Sequence, residues 1–138
     1  MTIAPSNECT PFYQPGETIT CYAGSAITGK RFVVISANRQ AGPGLNTSTS
    51  GGNYTVAPAG AGVKTFGVAV QDAASGALVT VIASPGYIVP VTCSANITAG
   101  VEVEISSAGQ VQTLASGKAV GMCVNGATSG GDAEIKLY

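Results

Sequence analysis

The chain repeats itself. Ala26-Ile27-Thr28, followed by Val33, Ile35 and Ser36, returns as Asn96-Ile97-Thr98, followed by Val103, Ile105 and Ser106. Equivalent residues in this block stand 70 apart, from 27 to 97 and from 36 to 106. A second block, Phe66-Gly67-Val68-Ala69-Val70 and then Ala73-Ala74-Ser75-Gly76, returns 54 residues on as Val120-Gly121-Met122-Cys123-Val124 and then Ala127-Thr128-Ser129-Gly130. The difference of 16 is extra length in the first half, between Ala37 and Lys64. Collinear order with a constant offset inside each block implies one supersecondary unit used twice. Each copy is short of core, so the two copies bury apolar faces against each other. Gly67 and Gly121 hold the same place in each copy. They are candidate structural glycines, marking a strand kink or a close backbone approach.

The unit is made of strands. Val101-Glu102-Val103-Glu104-Ile105 and Ala133-Glu134-Ile135-Lys136-Leu137 alternate apolar and charged residues, the period of a half-buried strand. Further β-rich runs are Thr18–Tyr22, Arg31–Ser36, Phe66–Val70, Ala77–Ile82, Tyr87–Thr92 and Ala119–Val124. Turn markers separate them, among them Gly24, Gly29, Ser75-Gly76, Pro85-Gly86 and Ser129-Gly130-Gly131. No segment carries a sustained helical stripe, and only Gln71–Ser75 has room for a helical turn. The fold class is all-β: a small barrel or sandwich built from two similar β-modules. The first module covers 17–84 with an inserted loop at 41–62, and the second covers 85–138. Residues 17–138 form one compact domain.

Two segments fall outside the repeat. The inserted loop holds Gly42-Pro43-Gly44 and Thr47-Ser48-Thr49-Ser50-Gly51-Gly52, which cannot form a continuous strand or helix. Long loops of this kind are functional or mobile. Residues 1–16 read as an extended N-terminal arm, because Pro5, Pro11 and Pro15 favour an extended chain. Phe12-Tyr13 is either an anchor for a partner or a cover over one end of the chain's own barrel. Phe12, Tyr13 and Pro15, with Tyr54 in the loop and Tyr87 at the start of the second module, are the candidate contact residues for a partner or a second protomer.

Chemistry is hard to find. There is no His and no Trp. That removes the commonest general base and metal ligand, and every nucleophile paired to a histidine. Glu102 and Glu104 share one face of an alternating strand, which places both in water. Asp72 and Asp132 read as turn residues. Gly42-Pro43-Gly44 lacks the Gly-Lys-Ser/Thr ending of a phosphate loop. The sequons at Asn46, Asn53 and Asn96 are what a Thr/Ser-rich chain contains by chance. No catalytic residue, cofactor or metal site is expected. Charged residues are 9% of the chain, against about 25% in an ordinary domain, and the net charge is −1. The six basic residues are scattered apart from Lys30-Arg31, so no nucleic-acid partner is expected. No apolar run is long enough for a transmembrane helix, and no secretory signal is visible at the start of the sequence. So few charges give little protection from association, which suits a protein meant for assembly.

Cys9, Cys21, Cys93 and Cys123 have none of the spacings of a metal knuckle. They read as buried reduced thiols, with a Cys9–Cys21 bridge as the open alternative.

Several motifs together resemble a known family. They are Pro15-Gly16-Glu17, Thr28-Gly29-Lys30-Arg31-Phe32-Val33 and Phe66-Gly67-Val68-Ala69 in the first half. In the second half they are Pro85-Gly86-Tyr87-Ile88-Val89-Pro90-Val91, Ile97-Thr98-Ala99-Gly100, Gly117-Lys118-Ala119-Val120-Gly121, and Ser129-Gly130-Gly131-Asp132 with the closing strand to Leu137. In this order they look like the capsid decoration, or cement, proteins of tailed bacteriophages, from about Pro15 onward. The resemblance implies a small β-barrel protein, made in the host cytoplasm, that sits on the outer surface of the virion head. Its partner would be the major capsid protein, whose subunits it clamps against the pressure of packaged DNA. It would also associate with itself, as a trimer first and a dimer second. Two other readings compete. A carbohydrate- or receptor-binding β-module would use Tyr13, Tyr22, Tyr54, Tyr87 and Tyr138, although Trp is missing. A thiol enzyme would use Cys21 or Cys93, with no visible base.

Overall fold

In the computed structural model, residues 18–40 and 52–138 are described. Ten strands run in chain order: β1 (Ile19–Ala23), β2 (Phe32–Gln40), β3 (Asn53–Pro58), β4 (Gly67–Ala69), β5 (Leu78–Ile82), β6 (Ile88–Thr92), β7 (Glu102–Ile105), β8 (Val111–Thr113), β9 (Gly121–Asn125) and β10 (Asp132–Leu137). Strands β1 to β5 close into a barrel in the order β1-β3-β2-β4-β5. Strands β6 to β10 form a five-stranded sheet in the order β6-β10-β9-β7-β8. The chain is all-β, as its alternation predicts.

The repeat holds at the level of single residue pairs. Cys21 pairs with Val79 and Ile19 with Val81, and 70 and 54 residues on, Val91 pairs with Ala133 and Val89 with Ile135. Val33 opposes Gly67, and Val103 opposes Gly121. The isolated bridge Ile27–Ala73 has its counterpart in Ile97–Ala127. Even the backbone strain matches. Lys30 has φ 59°, and its equivalent Gly100 has φ 92°.

One expectation is corrected here. The segment assigned to the inserted loop, 41–62, contains β3. Tyr54, Thr55 and Val56 are strand formers, and β3 lies between β1, parallel, and β2, antiparallel. Its counterpart is the three-residue β8, joined in parallel to the β6 side only by the bridge Cys93–Val111. The extra length of the first half therefore lies within the β2–β3 hairpin, and residues 41–51 fall outside the described residues. Gln71–Ser75 makes no helical turn. Ala73 instead exchanges two backbone hydrogen bonds with Ile27, at 2.8 and 2.9 Å.

The core follows the repeat. The first module buries Cys21, Ala23, Ile27, Val33, Val56, Ala69, Val79 and Val81. Their equivalents Val91, Cys93, Ile97, Val103, Val111, Cys123, Ala133 and Ile135 are all buried in the second. The second cluster also takes in Phe32, Ala59 and Val68 from the first module, so one apolar core runs across the seam.

Candidate functional site

The seam shows what surfaces this unit offers to a neighbour. The first module presents the outer row of β2 and β4, where Phe32 stands opposite Val68. Phe32 is 1% exposed and Val68 2%. The second module receives them on a rim that includes Ile105, Val120 and Leu137. Backbone bonds fix the register. Phe32 N–H donates to Gly109 O at 2.9 Å, and Gly109 N–H donates to Ala59 O at 2.8 Å. A Cβ on Gly109 would lie 2.4 Å from Phe32 O, at a φ of +77°. Only glycine allows that approach.

Gly62 makes the second lock. Its N–H donates to Ile105 O at 2.8 Å, and its carbonyl accepts from Lys118 N–H at 3.1 Å. One residue of the first module is thus inserted between β7 and the segment that leads into β9. The Lys30 ammonium adds a 2.7 Å ion pair with Asp132, which also accepts from the Thr92 hydroxyl. The Lys30 contact, first among these, holds the Asp132 carboxyl below its ordinary range.

Glu104 corrects the solvated pair. Glu102 is exposed, but Glu104 is 4% exposed, although both lie on one strand. Its carboxylate accepts from Gln112 Nε2 at 2.8 Å and from the Gly117 N–H. A buried carboxylate with such partners stays ionised. The Gln112 bond first, then Gly117, hold its carboxyl below the usual value. Glu104 therefore pins the β8–β9 loop beside Gly62. A Cβ on Gly117 would lie 2.6 Å from both Glu104 Oε2 and Gly62 Cα. The alternating pattern misses this because the donors, a β8 side chain and loop backbone, lie outside the strand's own periodicity.

The two structural-glycine candidates lie at close approaches. A Cβ on Gly67 would meet Ile82 O at 2.3 Å, and one on Gly121 would meet Lys136 O at 2.6 Å. Of the candidate contact residues, Phe12, Tyr13 and Pro15 lie outside the described residues. Tyr54 is partly buried in β3, tilted against Phe66 at a ring separation of 6.3 Å, with the Arg39 guanidinium 5.4 Å from its ring centre. Its ring is engaged, not a free platform. Tyr87 is 37% exposed, next to Ile88 at 58%. Tyr54 and Tyr87 therefore do not share one environment. Tyr138, at 55%, donates its hydroxyl to Glu102 at 3.1 Å. Its phenol is raised by desolvation and by that carboxylate. Sequence reasoning missed the exposed Ile35, at 48%, because Val33 on the same face of the strand is a core residue.

Cys21, Cys93 and Cys123 are buried free thiols, and Cys9 lies outside the described residues. Burial pushes the Cys21 thiol up to about 11, which keeps it protonated and unreactive. Among the described residues no cluster of His, Cys, Asp or Glu has the makings of a metal site. Asp72 accepts from Gly29 N–H at 2.8 Å and serves a turn. No helix among the described residues is long and apolar enough to cross a membrane.

The sequence model described as phage cement protein matches residues 13–138. The chain belongs to the phage cement protein family. A solved structure is similar in fold: the N base of the head fiber gp8.5 in bacteriophage phi29. The TM-score is 0.68 at 18% identity, over 88% of this chain and 92% of that one. No curated protein sequence matches. Membership of this family makes the chain a structural protein of a phage virion, associated with the capsid. The fold of this family member is the twinned arrangement of β1–β5 and β6–β10.

Proposed function

We propose that this protein decorates the outer surface of an assembled phage head and stabilises contacts between major capsid subunits. The family match over residues 13–138 carries this reading. The described surface supports it. Its exposed apolar side chains include Ile35, Val70 and Ile88, a pattern suited to many small contacts. Contacts that are weak singly hold firmly when repeated across a lattice. The protein acts without catalysis and needs no cofactor. Self-association, as a trimer before a dimer, belongs to the same proposal and is read by sedimentation equilibrium of the free protein.

Purified protein is mixed with expanded heads lacking decoration, and the heads are pelleted. Saturable co-sedimentation, together with heads that withstand higher temperature, is the expected result. Protein left in the supernatant at saturating concentration overturns the proposal.

A further inference from the structure

The first module carries a second, unfilled copy of the slot that joins the two modules. In the second module, Val120 N–H donates to Val103 O at 3.0 Å. Beyond that bond the two segments separate, and Gly62 sits between Ile105 O and Lys118 N–H. The repeat maps each of these groups onto the first module. Phe66 N–H donates to Val33 O at 2.8 Å. The next carbonyl on the same edge belongs to Ile35, and the next amide to Lys64.

Strand geometry points the Ile35 carbonyl toward this slot. Ala59 N–H donates to Phe32 O on the β3 side. The backbone groups of Val33 and Ile35 therefore face the other way. Among the described residues the Lys64 N–H has no hydrogen-bond partner, and the Ile35 carbonyl has none outside the β-ladder. Between the two segments lies an open groove of about 260 Å³, lined by Val34, Ile35, Lys64, Thr65 and Phe66. Ile35, the equivalent of the buried Ile105, is 48% exposed, and Phe66, the equivalent of the buried Val120, is only partly buried.

We infer that this slot is a docking site for a backbone segment of the capsid subunit. The occupant is a glycine-bearing turn flanked by small aliphatic or aromatic side chains, the chemistry that Gly62, Ala59 and Phe32 bring to the matching slot. It donates an N–H to Ile35 O and accepts from Lys64 N–H, as a strand edge does when it takes on a foreign peptide. A second copy of the chain is a poor occupant. The surface it would have to present is the second module's equivalent of Phe32, Val68 and Ile82, and there the residues are Glu102, Met122 and Lys136. Charges at that row oppose burial in an apolar groove. The inference rests on the decoration reading and adds the surface that makes the contact.

The experiment uses the full chain and undecorated expanded heads. Ile35→Asp places a carboxylate in the groove at a half-exposed position, and Lys64→Pro removes the amide donor. Leu78→Asp is the control, an equally accessible apolar residue, 56% exposed, on β5 outside the slot. Each variant is first checked for an unchanged melting temperature. The expected result is head binding weakened at least about tenfold by each slot variant, and by less than about threefold by Leu78→Asp. Wild-type protein that fails to bind heads overturns the decoration reading and the slot with it. Wild-type binding matched by a correctly folded Ile35→Asp protein overturns the slot alone. A lower sedimentation mass of free Ile35→Asp protein overturns it too, by making a second copy the occupant. So does recovery of Ile35→Asp binding when residues 1–16 are removed, since the chain's own arm would then be implicated.

Discussion

The first module closes on itself and the second does not. Both have the same strands in the same register, and the same eight buried positions. In the first, β3 is six residues long and pairs with β1 at three positions, which completes the barrel. In the second, β8 is three residues long and the matching closure is a single bridge. The open module compensates by sharing core with its neighbour. The lesson is that a repeat this small does not need two complete cores. One complete barrel and one shared interior are enough, provided the outer row of the first is apolar. The contrast is sharpest at equivalent positions. Phe32 is buried and Glu102 exposed; Ile105 is buried and Ile35 half-exposed. Each module uses a different side of the same unit.

The largest test of this contrast is a matched pair of substitutions. Phe32→Ala should destabilise the protein by about 3–5 kcal/mol, the usual cost of emptying an aromatic site in a core. Glu102→Ala, at the same place in the repeat, should change stability by less than about 0.5 kcal/mol. Urea unfolding followed by circular dichroism measures both. Equal effects would mean that the modules do not differ in the way described. Next come the twin glycines. Gly67→Ala and Gly121→Ala push a methyl into backbone oxygens, and each should cost about 1–3 kcal/mol. A difference above that range between them would show that one module yields more easily.

The Glu104 lock adds a pH test. Its folded-state carboxyl lies below the unfolded value of 4.5, so the bound carboxylate contributes its full stabilisation above pH 4.5. That contribution declines as pH falls from 4.5 through the folded value, where the folded state resists taking up a proton. Asp132 adds a similar decline below its own ordinary value of 3.8. Glu104→Gln should therefore lower the melting temperature at pH 7 and flatten its fall between pH 5 and about pH 3. An unaltered acid limb would remove Glu104 from the seam. A smaller effect, and a gain, is expected from Ala108→Gly. Ala108 has φ 48° in the turn that carries Gly109, and relieving it should stabilise by up to about 1 kcal/mol. The smallest effect belongs to Lys30 and Asp132. Their ion pair is exposed, and a double-mutant cycle should give less than about 1 kcal/mol of coupling.

Much of this was legible without coordinates. The repeat offsets, 70 and 54, are the offsets of the strand pairs, and seven of the eight inward positions of one module name those of the other; the eighth pair, Val56 and Val111, lies on the strands that were missed. Gly67 and Gly121 lie where a close backbone approach was expected. Two strands were missed, β3 and β8, and they hold the same place in the repeat. Val111-Gln112-Thr113 is too short for periodicity to register. Asn53–Pro58 follows a run of Gly, Ser and Thr and has little alternation of its own. Both take their pairing from partners distant in sequence, which no local window contains. Glu104 was misplaced for the same reason, because its donors, the Gln112 side chain of β8 and the Gly117 N–H, stand eight and thirteen residues away.

The sequence by itself determined the unit: four of its five strands, its turns, its inward face and its duplication, all of which depend on side-chain period and local backbone freedom. Only the tertiary structure decided which face of each unit is covered. Phe32 and Ile35 are apolar residues on opposite faces of one strand, and nothing local says which face a neighbour will cover. Their fates differ because the seam buries one side of the first module and leaves its rim in water. Burial belongs to a pair of surfaces, and a linear pattern describes one surface at a time.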